Sequence, residues 1–347
     1  MTARRTLGRL QSAAMRAMAV QTPGPMETRP LSLSDVDCPV PGPGEMRVRV
    51  TLCGVCRTDL HVAEGDLPTV VDGVIPGHEV VGVVDALGPG VTGWSEGERA
   101  GIAWLQGTCG SCRFCSSSRE NLCAGGRFTG YAVDGGYAEF AIVRADWAYR
   151  IPEALEDAQA APLLCAGIIG YRALRVSGVR PGGRLGLYGF GGSAHIAIQV
   201  ARRRGCEVFV CTRDEKHRAL ARQLGAAWVG GSDEPPPTKL DAAILFAPAG
   251  TIVPAALEAL DWGGTLAVAG IHLSQIPPLE YEKHLFHEKA LRSVTANSRQ
   301  DGLDLLREAA EIPLVTHTQP FPLEQANEAL LALRDDRLTA AAAVLVV

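Results

Sequence analysis

The sequence lacks any uninterrupted, uncharged apolar stretch of 18 or more residues, which argues against a transmembrane helix. It also lacks a basic excess, because 33 lysines and arginines stand against 38 acidic residues, giving a formal net charge of −5. A nucleic-acid-binding protein normally concentrates basic side chains on one face. The N-terminal residues lack the apolar core of a secretory signal. We therefore predict a soluble, cytoplasmic protein with neither nucleic-acid nor membrane partners.

Cysteine, in contrast, is abundant, with ten residues in a chain of 347. Disulfide frameworks are typical of small secreted domains, and this chain is too large for that class. Four of the cysteines also lie in one tight cluster, which in a cytosolic enzyme favours a metal site.

The length predicts two domains of different texture. Short β segments separated by Gly and Pro turns dominate up to about Ile151, and apolar strands alternate with amphipathic helices from Ala173 onward. The alternation predicts an α/β fold with a doubly wound parallel sheet. We expect residues 1–17 to form a flexible extension, and the final strand to return to the β-rich domain.

The cysteine cluster has the spacing C-x2-C-x2-C-x7-C. Its four members are Cys109, Cys112, Cys115 and Cys123. Four thiolates about 2.3 Å from the ion suit a closed, structural zinc site. The spacing alone also permits an iron–sulfur cluster.

A second group of metal-binding residue types is spread along the chain. Cys53-Gly-Val-Cys56 and Gly77-His78-Glu79 lie in the β region, and Cys165 lies at the boundary of the α/β region. Two thiolates and one imidazole would leave the fourth tetrahedral position open for water or substrate. Such an open zinc ion can polarise a carbonyl or acidify a bound alcohol.

Taken together and in this order, from about Met18 onward, these motifs resemble the zinc-containing medium-chain dehydrogenases of the alcohol dehydrogenase family. The resemblance implies a GroES-like β-rich catalytic domain, residues 18–166 and 304–347, and a Rossmann cofactor domain, residues 167–303. It selects Cys56 over Cys53 and implies His78 and Cys165 as the other catalytic-zinc ligands. Glu79 would enter or support the metal shell, and Asp59 would orient His78.

The resemblance also implies a proton path. The Thr58 hydroxyl would accept the alcohol proton and pass it through the cofactor ribose to His61 at the surface. Trp104 corresponds to a position that lines the substrate pocket, where it would make the pocket apolar.

The segment from Leu185 to His195 predicts a strand, a glycine-rich turn and a helix. Its G-x-G-x-x-A pattern is an allowed form of the dinucleotide fingerprint, in which backbone N–H groups at a helix N-terminus receive the pyrophosphate. The residues of the pattern are Gly189, Gly191, Gly192 and Ala194. By resemblance, further cofactor contacts are expected from Arg57, Ala247, Gly270 and Arg299.

The next predicted strand ends near Thr212, where an acid would hold the ribose hydroxyls of NAD. Thr212 and Arg213 at this point favour the 2′-phosphate of NADP, since a guanidinium can bind it bidentately, and Lys216 is placed to assist. A two-residue shift would instead bring Asp214 to the ribose and favour NAD. We predict NADP as the preferred cofactor, with NAD possible.

The sequence therefore predicts a zinc-dependent alcohol dehydrogenase or aldehyde reductase with two zinc ions per chain, acting on primary alcohols or aldehydes as a homotetramer or homodimer. A zinc-free quinone or enoyl reductase of the same superfamily is the alternative, although it would lack His78 and Cys165. A non-catalytic cofactor-binding protein on the same fold is the other alternative.

Overall fold

A computed structural model describes residues 14–232, 234–312 and 314–347. The strands of the described residues are β1 (Ala14–Val20), β2 (Leu31–Asp37), β3 (Glu45–Val55), β4 (Glu79–Leu87), β5 (Arg99–Ile102), β6 (Leu105–Gly107), β7 (Arg127–Phe128), β8 (Phe140–Arg144), β9 (Tyr149–Arg150), β10 (Arg184–Tyr188), β11 (Glu207–Cys211), β12 (Trp228–Gly230), β13 (Leu240–Leu245), β14 (Leu260–Val268), β15 (Ala290–Ser293), β16 (Thr318–Pro322) and β17 (Ala342–Val346). The α-helices are α1 (Arg57–Glu64), α2 (Asp157–Ala160), α3 (Ala166–Ser177), α4 (Gly192–Arg203), α5 (Glu215–Gln223), α6 (Val253–Ala259), α7 (Tyr281–His284), α8 (Arg299–Glu311) and α9 (Ala326–Arg334). No helix among them is long and apolar enough to cross a membrane.

The β-rich region is organised around β3. This strand pairs antiparallel with β4, β8 and β17, and the sheet continues through β5 to β9 on one side and β16 on the other. Met46, Val48 and Val50 of β3 are buried, as expected for a strand that alternates toward a core. The C-terminal strand β17 thus joins a sheet that begins near the N-terminus.

The second sheet is parallel throughout, with the order β12-β11-β10-β13-β14-β15. The central strand β10 is buried from Leu185 to Tyr188, which explains its continuous apolar run in place of an alternating pattern. Buried residues of α3, α4 and α8 form a core with one face, and buried residues of α6 form a core with the other. This doubly wound sheet confirms the predicted α/β fold class.

The cores also connect the two regions. One apolar cluster lies within the β-rich region, whereas the cluster around α3 and α4 includes Val81 of β4, Ala103 and Val344 of β17. The polypeptide segment that carries Cys165 and begins α3 therefore lies where the two sheets meet. That arrangement brings residues from both halves of the chain to one place.

The first strand differs from the prediction for residues 1–17. Ala14–Val20 forms β1, which pairs with β2, so residues 14–17 of the expected flexible extension belong to a sheet. Met15 and Ala17 are buried there, and burial of such apolar side chains stabilises the strand. The rest of the expected extension, residues 1–13, lies outside the described residues.

Candidate metal and cofactor sites

The first candidate site gathers residues from three separate parts of the fold. Cys56 caps α1 after β3, His78 directly precedes β4, which begins at Glu79, and Cys165 precedes α3. The ligand atoms of these four residues all lie within 4.8 Å of one another. Sγ of Cys56 lies 3.7 Å from Sγ of Cys165, close to the ~3.8 Å separation of two thiolates on a tetrahedral zinc ion.

The surroundings of the His78 ring show whether a metal ion fits this site. Its ring is fully buried, and Nδ1 lies 2.9 Å from Oδ1 of Asp59. An ionised carboxylate only accepts hydrogen bonds, so Nδ1 donates to Asp59 and Nε2 is the ring nitrogen left for another partner. Nε2 is buried with no hydrogen-bond partner among the described residues. An orphaned, buried imidazole lone pair beside two thiols fits a metal ion.

Asp59 holds this arrangement from behind. Its carboxylate is almost fully buried and accepts hydrogen bonds from the backbone N–H groups of Cys56 (2.9 Å) and Gly77 (3.1 Å) as well as from His78. Tyr137 donates its hydroxyl to the same carboxylate at 3.1 Å. The sequence did not indicate Tyr137, because no spacing pattern links it to the motif. The close approach of its ring to Gly77, where a Cβ would lie 2.4 Å away, is visible only in the fold.

The protonation of the site reflects its burial. A hydrogen bond from the Cys165 thiol lowers the pKa of Cys56 well below the ordinary value, which favours a thiolate. Burial raises the pKa of Glu79 well above the ordinary value. A Cβ at Gly54 would lie 1.9 Å from Oε2 of Glu79, so glycine is required beside this carboxyl group.

The second candidate site is the four-cysteine cluster, which lies on one loop. Sγ of Cys109 lies 3.5 Å from Sγ of Cys123, and Sγ of Cys112 lies 3.5 Å from Sγ of Cys115. None of the four is in a disulfide, and their sulfur atoms all lie within 4.8 Å of one another. The set offers four soft ligands and is complete without water, as a closed structural zinc site requires.

The residues of the expected proton path lie along α1. The Thr58 hydroxyl is largely buried and lies 3.8 Å from Sγ of Cys56. His61 lies one turn further on, partly exposed, with Nδ1 2.8 Å from Oδ2 of Asp66. Asp66 was not predicted, because it lies beyond the motif, but its carboxylate orients the imidazole.

Trp104 lies against the first metal site. Its ring meets the ring of His78 edge-on with centroids 4.9 Å apart, and it stacks on Phe128 at 5.0 Å and Tyr131 at 6.0 Å. Tyr131 in turn donates its hydroxyl to the carbonyl oxygen of Pro68. The wall beside His78 is therefore aromatic, and Phe128 and Tyr131 extend the single residue that the sequence indicated.

The glycine-rich turn follows β10 and opens α4, as predicted. Gly189 has a φ of 86°, and a Cβ there would lie 2.8 Å from the backbone nitrogen of Ala247. Gly191 caps the helix, Gly192 is its first residue, and Ala194 is fully buried. Space is open around Gly191 on the side where a Cβ would lie. The N-terminal N–H groups of α4 can therefore receive an anion.

The carboxyl ends of β11, β13 and β14 lie along the same edge as this turn. Thr212 is buried directly after β11, Ala247 faces Gly189 after β13, and Gly270 follows β14. Dinucleotides bind at this edge of doubly wound sheets. The turn also approaches the first metal site, because a Cβ at Gly192 would lie 3.6 Å from Cβ of Ala166, the neighbour of Cys165.

The residues after Thr212 divide into two roles. Arg213 and Lys216 are exposed. Asp214 caps α5, and its carboxylate accepts the backbone N–H groups of Lys216 at 2.7 Å and His217 at 3.2 Å. Desolvation raises the pKa of Asp214, but these hydrogen bonds lower it further, so that the pKa lies below the ordinary value. The carboxylate is engaged in capping, which weighs against its use for a ribose.

The two remaining arginines lie outside the fingerprint. Arg57 is exposed in the first turn of α1, directly after Cys56. Arg299 begins α8, and its Nε is buried without a hydrogen-bond partner among the described residues. An unpaired buried guanidinium nitrogen fits an anionic ligand such as a pyrophosphate.

Comparison with known proteins agrees with this geometry. Residues 42–153 match the family model of the alcohol dehydrogenase GroES-like domain, and residues 192–311 match that of the zinc-binding dehydrogenases. The chain is 52% identical over 340 residues to a probable alcohol dehydrogenase of Mycobacterium tuberculosis, covering 96% of this chain and 98% of that protein. The chain belongs to the zinc-type medium-chain alcohol dehydrogenase family. It is therefore an oxidoreductase enzyme, and the resemblance drawn from the sequence is confirmed.

Two further alcohol dehydrogenases match at lower identity. An alcohol dehydrogenase of Geobacillus stearothermophilus is 37% identical over 309 residues, which cover 86% of this chain and 91% of that one. A cobalt- and zinc-bound thermostable alcohol dehydrogenase from Pyrobaculum aerophilum superposes with a TM-score of 0.87 at 29% identity, covering 96% of this chain and all of that one. These likenesses confirm the GroES-like and Rossmann fold classes.

Proposed function

We propose that the protein is a zinc-dependent alcohol dehydrogenase or aldehyde reductase that transfers a hydride between a primary alcohol or aldehyde and NADP(H), with NAD(H) as a weaker substitute. The observation that carries the proposal is the convergence of Cys56, Cys165 and the orphaned Nε2 of His78 on one buried point. A zinc-free reductase of the same superfamily would have no use for these three ligands.

Each residue of the site has a distinct part in this proposal. Cys56, His78 and Cys165 would hold the catalytic zinc, which supplies a Lewis acid that acidifies an alcohol or polarises an aldehyde when bound. Glu79 would support the metal shell from its buried position, and the aromatic wall at Trp104 would exclude water from the substrate. The cysteines at 109, 112, 115 and 123 would hold the second, structural zinc.

Thr58 and His61 would move the proton. A buried alcohol can lose its proton only if a neighbouring group accepts it, and the Thr58 hydroxyl lies beside Cys56 for that purpose. His61, oriented by Asp66 at the outer end of α1, would exchange the proton with water.

The cofactor would lie along the carboxyl edge of the parallel sheet. The N–H groups at Gly191 and Gly192 would bind its pyrophosphate, with Arg57 and Arg299 as cationic partners. Gly189, Ala194, Ala247 and Gly270 would lie beside it at this edge, and the open space at Gly191 would admit its phosphates. Thr212, Arg213 and Lys216 would receive a 2′-phosphate, and the capping role of Asp214 supports this preference for NADP.

The proposal extends to domains and assembly. The catalytic domain would comprise residues 18–166 and 304–347, and the cofactor domain residues 167–303. Because α8 packs against α3 of the cofactor domain, we place the second boundary after α8, near Ile312. We propose a cytoplasmic homotetramer or homodimer.

Metal content and turnover test the proposal directly. Purified protein should contain two zinc ions per chain and oxidise primary alcohols faster with NADP than with NAD. Cys165→Ala should lose one zinc together with activity. Full activity of Cys165→Ala without that zinc would refute the metal assignment, and a clear preference for NAD would refute the role given to Thr212 and Arg213.

A further inference from the structure

The four-cysteine loop reaches across to the other half of the molecule. Two consecutive residues of its short 3-10 turn, Glu120 and Asn121, contact the segment that leaves the carboxyl end of β15. Oε1 of Glu120 accepts the backbone N–H of Arg299 at 2.8 Å. Nδ2 of Asn121 donates to the backbone oxygen of Thr295 at 2.8 Å. The loop is thus hydrogen-bonded to both ends of the segment from Thr295 to Arg299.

The segment from Thr295 to Arg299 contains one residue in an unfavourable backbone conformation. Ala296 has a φ of 47°, in the left-handed region that residues with a Cβ adopt at a cost. Such a conformation persists when the surroundings determine it, and here hydrogen bonds are made on both sides of it. Asn121 is 5% exposed, so the donor of the bond to Thr295 is held in a buried position. A third contact comes from Tyr149, whose hydroxyl donates to the backbone oxygen of Arg299 at 3.4 Å.

Arg299 begins a helix at the point where Glu120 holds the backbone. Arg299 is the first residue of α8, directly after the helix cap Ser298, and its Nε is buried with no hydrogen-bond partner in the part of the chain that the structure describes. The cap itself is fixed by Asp301, whose carboxylate also binds Arg172 and Arg175. The helix therefore has a fixed start, and the contact with Glu120 fixes the backbone from which the guanidinium leaves.

We propose that Glu120 and Asn121 are positioning residues for the dinucleotide, which act by holding Thr295–Arg299 so that Arg299 is oriented toward the cofactor before it binds. This inference rests on the proposed function, in which Arg299 is a cationic partner of the pyrophosphate. The structural zinc loop then serves cofactor binding as well as stability. If these hydrogen bonds are lost, the segment populates other conformations. The apparent affinity for the dinucleotide then falls by the fraction of molecules that is no longer competent to bind it.

Binding measurements with matched variants test the proposal. Glu120→Ala removes the acceptor for the Arg299 N–H, Glu120→Gln keeps an acceptor oxygen, and Asn121→Asp removes the donor to Thr295. We expect NADPH to bind about fivefold more weakly to Glu120→Ala and Asn121→Asp, the effect of about one lost hydrogen bond. Glu120→Gln should bind within about twofold of the wild type. Ser116→Ala is the control, because Ser116 is exposed on the same loop.

The measurements are fluorescence titrations with NADPH and with NADH, accompanied by zinc content and melting temperature. A positioning role raises the KM for the cofactor more than it lowers kcat, whereas a merely structural role lowers the melting temperature without that separation. A double-mutant cycle sharpens the assignment. If Glu120 acts through Arg299, then Glu120→Ala should weaken NADPH binding by less than about twofold in an Arg299→Ala background.

Three results would overturn the inference. The first is cofactor affinity within about twofold of the wild type in both Glu120→Ala and Asn121→Asp. The second is weaker binding that appears only together with loss of zinc from the four-cysteine site. The third is full additivity with Arg299→Ala. A wild-type protein that binds neither NADPH nor NADH would instead overturn the proposed function.

Discussion

The two candidate metal sites of this protein contrast in almost every physical respect. The Cys56–His78–Cys165 site is assembled from three distant parts of the chain around a fully buried imidazole, and a buried carboxylate stands behind it. The four-cysteine site is formed within a single loop between Cys109 and Cys123, and Cys109 is exposed. Three protein ligands around a tetrahedral ion would leave one coordination position for substrate, whereas four thiolates would leave none. The contrast teaches that ligand number and burial, more than metal identity, separate chemistry from structure.

Removing a ligand from the open site should produce the largest effect on turnover. His78→Ala should lose one of two zinc ions and reduce kcat/KM by roughly 10³-fold or more, because the Lewis acid contributes several kcal/mol. Zinc analysis and steady-state rates measure both losses. Cys53→Ala is the matched control, since Cys53 is a buried cysteine of the same motif. A Cys53→Ala variant that lost the metal as His78→Ala does would contradict the choice of Cys56.

Weakening the support behind the open site should produce the next largest effect. Asp59→Asn keeps the shape but removes the charge that holds the Nδ1 proton of His78, so zinc affinity should fall about 10- to 100-fold. Tyr137→Phe removes only one of the hydrogen bonds to Asp59 and should cost less than the change of Asp59 itself. Competition with a chelator measures both affinities. Equal zinc affinity in Asp59→Asn and wild type would show that the carboxylate has no part in metal binding.

Changing the cofactor edge should alter neither metal site. Arg213→Ala should raise the KM for NADP about tenfold and leave that for NAD nearly unchanged, because a charge-assisted contact to a 2′-phosphate is lost. Parallel assays with both cofactors provide the measurement, and zinc content serves as the control. An equal effect on both cofactors would remove Arg213 from the specificity argument.

Opening the closed site should produce the smallest effect on chemistry and the clearest effect on stability. Cys112→Ser should lose one zinc and lower the melting temperature by about 5 °C, while kcat changes by less than about tenfold. Calorimetry and rates at saturating cofactor separate the two quantities. A loss of kcat as large as that of His78→Ala would break the distinction between the two sites.

The sequence predicted which residues come together at the two sites better than it predicted their surroundings. Spacing predicted the group of four cysteines because they are local, and motif order together with the family resemblance predicted the group of Cys56, His78 and Cys165. Tyr137, Asp66 and Glu120 were missed. Each makes a hydrogen bond to a residue whose position depends on the fold, and none belongs to a recognisable sequence motif. The predicted extension was wrong at residues 14–17 because these residues pair with β2, and periodicity does not reveal that long-range pairing.

By itself, the sequence determined which ligands are available, the α/β class of the fold and the glycine-rich turn, since each depends on residue types at short spacing. Only the tertiary structure decided that Nε2 of His78 is buried with no hydrogen-bond partner among the described residues, and that the four-cysteine loop touches the segment before α8. These outcomes depend on hydrogen bonds between groups far apart in the chain or on the burial of a single atom. Burial and long-range hydrogen bonding arise from packing, which no local pattern encodes.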